Sequence, residues 1–138
     1  MTPDGTAEEA SYTLSVRFTR SALALVFAGA LFGADPAVVA QGKKQIAEKK
    51  FDAAITALET AGKADPKSAA IKATLADALL AKADSIMYDE ALPPRSKYPD
   101  ALRTYRKVLT VDKDNKKAQS NIETIENIYK SMGRPVPQ

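Results

Sequence analysis

The side chains best placed to move protons lie between residues 89 and 97, where Asp89 and Glu90 stand near Arg95 and Lys97. General acid–base catalysis needs two groups that face one substrate with their pKa values driven apart. Neighbours at a helix end point in different directions, so the expected role here is a solvated, turn-capping charge cluster. The chain has no His and no Cys, which removes imidazole bases, thiol nucleophiles, disulfides and the common zinc-ligand sets. Neither GxGxxG nor GxxxxGK[ST] occurs, so no phosphate-cradling loop is expected. The basic pairs Lys43–Lys44, Lys49–Lys50 and Lys116–Lys117 are separated and interleaved with acids. They lack the exposed aromatics on which bases stack, and read as solvated helix faces. The expectation is a non-enzymatic protein with no cofactor, no metal and no nucleic-acid partner.

With 138 residues, 45% hydrophobic and 27% charged, the composition fits one modest globular domain. Ahead of it, Arg17 and Arg20 precede the apolar run SALALVFAGALFGA, residues 21 to 34. The run is shorter than the roughly 20 residues of a comfortable bilayer span. It has the length of a secretory h-region, with Val38 and Ala40 at the −3 and −1 positions before Gln41. Residues 1–40 are therefore expected to be an export signal, giving a periplasmic or extracellular protein. Asp4, Glu8 and Glu9 fit a basic n-region badly, and a start near Val16 gives a more compact leader. The alternative is an uncleaved membrane anchor through residues 21–40. Gly29 and Gly33 have GxxxG spacing, but small residues are ordinary in a leader.

Two later stretches share a rhythm. KKFDAAITALETAGKADPK and KYPDALRTYRKVLTVDKDN align Phe51 with Tyr98, Ala54 with Ala101, Ile55 with Leu102, Leu58 with Tyr105, Ala61 with Val108 and Asp65 with Asp112, each pair 47 positions apart. The apolar positions recur in steps of three and four, so each copy is an amphipathic helix. The alanines at 54 and 101 predict close helix–helix approach, where a larger side chain would hold the backbones apart.

The first copy resembles the second helix of a tetratricopeptide repeat, in a unit that opens near Asp35 and has Gly42, Phe51, Ala54, Leu58, Ala61 and Pro66 at the family's small, aromatic, Ala, bulky, Ala and Pro positions. That family has a period of about 34 residues, two helices per unit. Val38, Gln41 and Gln45 replace the family's usual Trp, Leu and Tyr. A spacing of 47 requires an insertion in the second unit, expected at about 83–97. There the first helix overruns, and Pro93 and Pro94 in ALPPRSK predict an extended turn. Met87 and Tyr88 are expected to pack beneath it. In the overrunning helix, Ile71, Leu75, Ala78, Leu79, Lys82 and Ile86 share one face.

The last amphipathic stretch places Ala118, Ile122, Ile125, Tyr129 and Met132 inward and stops at Gly133, with Pro135 just beyond. It resembles the first helix of a third unit acting as a lid, followed by a C-terminal tail at 133–138. The fold class implied is all-α, a short α-solenoid of antiparallel helix hairpins. It comprises about two and a half units over residues 41–132, with a capping helix. The resemblance implies a protein-interaction module whose concave face takes a partner peptide or helix. Its groove positions fall on Lys43, Ile46, Ala73, Thr74, Asp77, Leu80, Ser120, Asn121, Thr124 and Asn127. Only Lys43 and Asn121 fit the family's carboxylate clamp, so none is expected. A structural, self-associating role through the proline-containing insertion is the alternative.

Overall fold

Five stretches with helical periodicity, bounded by Asp, Ser, Asn, Gly and Pro, become five helices in the computed structural model, which describes residues 34–138. They are α1 (Ala34–Ala47), α2 (Phe51–Ala64), α3 (Ala69–Met87), α4 (Pro94–Val111) and α5 (Lys116–Ser131). No strand occurs among the described residues. The leader's basic flank, nearly all of its apolar run and the Gly29–Gly33 pair lie outside the described residues. The expected cleavage position after Ala40 falls within α1, where Val38 and Val39 are half-buried against the core.

The helices form a short all-α solenoid of helix hairpins, with α3 packed against α1, α2 and α4, and α5 laid chiefly on α4. The core gathers Ala54 and Leu58 from α2, Ile71, Leu75, Ala78 and Leu79 from α3, Ala101, Leu102, Tyr105 and Val108 from α4, and Ala118 and Ile125 from α5. Ala54 and Ala101 are both fully buried, as close packing at those positions predicts. In α3 the single expected face is too narrow: Thr74, Ala76 and Ala83 are buried as well. A helix with neighbours on several sides must be apolar around more of its circumference.

The 47-position spacing reaches the helix starts. Ser68 Oγ accepts the Ile71 N–H at 3.2 Å, and Asn115 Oδ1 accepts the Ala118 N–H at 3.0 Å. Each is an N-cap satisfying a donor that the first turn leaves open. The inward positions Ile71, Leu75 and Ala78 of α3 recur as Ala118, Ile122 and Ile125 of α5. Lys113, where the first unit has Pro66, is absorbed into a polar turn in which Asn115 Nδ2 donates to Asp112 Oδ2 at 3.1 Å.

Three local expectations are corrected. The extended turn over ALPPRSK is confined to residues 88–93, because Pro94 opens α4. At the first helical position its missing N–H has no helical partner to lose, and its fixed φ suits the helix. Pro99 is consequently inside α4. Met132 is 50% exposed, since α5 ends at Ser131 before that side chain can turn inward. Tyr88 is 64% exposed, whereas Met87 packs on the core as expected.

Candidate functional site

The residues expected to line a docking face do not share one environment. Lys43, Ala73, Asp77, Thr124 and Asn127 are exposed, and Ser120 with them. Ile46 and Leu80 are half-buried and pack against the core. Thr74 faces inward, buried, with its hydroxyl donating to the Ala70 carbonyl at 2.8 Å. Its methyl and hydroxyl are therefore used within the fold. Ala73 and Asp77 come together in a cleft of about 410 Å³, lined also by Ala69, Lys72, Ala76, Val111 and Asp112. The cleft runs along the first half of α3, with Val111 at the end of α4 and the following Asp112 also in its wall. Three alanines make a floor that a partner backbone can approach, and Lys72, Asp77 and Asp112 put charge of both signs on its rim.

Asn121 has a different occupation. Its Nδ2 donates to the Tyr105 hydroxyl oxygen at 2.8 Å and lies 3.3 Å from Asp84 Oδ1. The Tyr105 hydroxyl itself donates to Asp84 Oδ1 at 2.6 Å, and Lys117 Nζ donates to Asp84 Oδ2 at 2.6 Å. One carboxylate from α3 thus ties α4 to α5. Burial, reinforced by the hydrogen bond to Asp84, pushes the Tyr105 phenol far above its ordinary range. Lys117 is raised chiefly by its hydrogen bond to the same carboxylate, with desolvation opposing. Sequence periodicity finds Tyr105 as a core residue but not this network. The signal was a hydroxyl at a position where the sister copy has Leu58, because a buried hydroxyl needs a partner.

In the insertion, Asp89 caps a turn. Asp89 accepts the Ala91 N–H through its side chain at 2.8 Å, and its carbonyl accepts from Lys97 Nζ at 3.3 Å. Beside it, Tyr88 and Leu92 are exposed apolar side chains on the same loop. Among the described residues, no cluster of acidic side chains could hold a metal ion. No helix among them is long and apolar enough to cross a membrane.

Residues 45–85, from the last turn of α1 through α2 and nearly all of α3, match the tetratricopeptide repeat family. The match spans less than half of the chain, and tetratricopeptide repeats in general mediate protein–protein interaction. No curated protein and no solved structure matches the chain.

Proposed function

We propose that this tetratricopeptide-like chain is a non-enzymatic docking module that holds a peptide or helix of a partner protein along the exposed faces of its first, third and fifth helices. The cleft beside Ala73 and Asp77 carries the reading, because it combines an approachable alanine floor with charge that can fix a partner's register. Lys43, Thr124 and Asn127 extend the contact as exposed polar side chains, while Ile46 and Leu80 supply apolar edges. Asn121 contributes by holding the third helix in place. The apolar run after Arg20 supports export to the periplasm or beyond, or anchoring through residues 21–40 if it is retained.

The test is co-purification from an envelope fraction with the wild-type chain and with Asp77→Lys. A partner retained by the wild type and lost with Asp77→Lys, at unchanged helix content, supports docking. Equal retention by both proteins overturns the cleft as its seat.

The exposed Tyr88 and Leu92 favour a second reading, self-association through the insertion. If that reading holds, the wild type sediments as an assembly and replacing both by Ser makes it monomeric. An unchanged assembly would reject it.

A further inference from the structure

The end of the chain is seated on the protein. Gly133, at φ 64°, turns the backbone out of α5, and Val136 is half-buried against the core. Arg106 of α4 donates through Nη1 to the Pro137 carbonyl at 2.7 Å, and its Nη2 stands 3.6 Å from Glu126 Oε1 of α5. The guanidinium is thus held on one side by α5 while it offers a fixed donor on the other. Pro135 and Pro137 flank the β-branched Val136. Proline fixes φ and removes its own N–H, so this segment is pre-extended and offers chiefly its side chains and carbonyls for recognition. The protein supplies a counterpart for each: core contact for the half-buried Val136 side chain and the Arg106 donor of α4 for the Pro137 carbonyl. Pre-extended segments lose little entropy on binding, which is why proline-rich peptides serve as ligands.

We propose that the α4–α5 surface around Arg106 is a docking groove for extended Pro-X-Pro segments with a β-branched residue at X. In the isolated chain it is occupied by the protein's own residues 134–138, which a partner segment of the same chemistry displaces. The groove is separate from the α3 cleft and does not depend on it. The tail is a weak occupant, held by one half-buried side chain and one side-chain hydrogen bond. Its tether gives it an effective concentration of about millimolar, enough to exclude a competitor at lower concentration.

The probe is a labelled Arg-Pro-Val-Pro-Gln peptide followed by fluorescence anisotropy, with the full chain carrying Val136→Asp to unseat the tail. The variant should bind the peptide about twofold or more tightly than the wild type does, the gain expected when a weak competitor tethered at about millimolar effective concentration is removed. Adding Arg106→Ala should abolish that binding. A folded Val136→Asp protein that binds no better than the wild type up to about millimolar peptide overturns the proposal. So does equal binding of an Arg-Ala-Val-Ala-Gln peptide. Should Val136→Asp lose helix content, a chain ending at Arg134 takes its place; if that chain also fails to fold, the tail is part of the core and the groove is not a docking site.

Discussion

The first two hairpins, α1–α2 and α3–α4, carry the same apolar rhythm and close it by different chemistry. In the first, Leu58 fills the interior against Gly42, where a Cβ would stand only 3.0 Å from Leu58 Cδ1. In the second, Tyr105 takes the equivalent position and adds a hydroxyl, which recruits Asp84 and Asn121. The interior of the first hairpin is filled by apolar packing; the second adds to such packing a polar lock that reaches into α5. The difference follows from position in the stack. The α1–α2 pair has α3 laid along both of its helices. By contrast, α5 rests chiefly on α4, so its attachment to α3 relies on directed bonds from Lys117 and Asn121.

The feature common to both hairpins should be the most costly to break. Ala54→Leu and Ala101→Leu each insert bulk at a fully buried helix contact, and each should cost about 1–3 kcal/mol of stability. Urea unfolding measures it. Unchanged midpoints would mean that the two alanines do not set the helix spacing.

The polar lock distinguishes the hairpins and should respond next. Tyr105→Phe keeps the ring but removes the hydroxyl's bonds to Asp84 and Asn121, leaving Asp84 with Lys117 and Asn121, and should cost about 1–2 kcal/mol. It should also change the pH dependence. The folded phenol is held above its ordinary value, mainly by burial, whereas in the unfolded chain it titrates near pH 10. Its contribution is therefore fully present below about pH 10 and declines as the pH rises further, because only the unfolded state readily loses the proton. Lys117, also raised, acts in the same direction but is more than half exposed, so its share is small. Unfolding curves from pH 8 to 11 should fall more steeply for the wild type than for Tyr105→Phe. Parallel curves would remove Tyr105 as the source.

The apolar skeleton was readable because helix periodicity records which side chains must leave water: Leu58, Leu75, Leu102 and Ile125 are all interior. The added burial of Thr74, Ala76 and Ala83 was not readable, since it depends on how many neighbours α3 has. Likewise, Pro94 and Pro99 look like helix breakers in sequence, yet one sits where a helix needs no donor and the other is carried inside by the longer α4. Of the residues expected to line a docking face, Ala73 and Asp77 meet in one cleft. Asn121 matched a groove position by spacing, but spacing cannot register that Asp84 and Tyr105 lie within hydrogen-bond reach. The tail's seat was invisible for the same reason: Arg106 and Pro137 meet only after α5 has folded back along α4.

The two N-caps offer a more even comparison. Ser68→Ala and Asn115→Ala each free one backbone donor, at Ile71 and at Ala118, and each should cost about 1 kcal/mol. A Ser68 loss far above that of Asn115 would show that Ser68, the more buried of the two, also supports packing between α2 and α3.

The smallest effect concerns two helix ends closed in the same way by unlike residues. After α1, Lys49 adopts φ 60°, with its N–H donating to Ile46 and that of Lys50 to Gln45. After α5, Gly133 adopts φ 64°, with its N–H donating to Lys130 and that of Arg134 to Tyr129. Both are Schellman closures, and both need a left-handed residue that glycine supplies without steric cost. A side chain there crowds the following carbonyl. Lys49→Gly should therefore stabilise the protein by about 0.5–1 kcal/mol, less than the full relief because glycine loses more entropy on folding. Gly133→Ala should destabilise it by a similar amount. If thermal melts shift in the same direction for both substitutions, the left-handed geometry is not what governs these two ends.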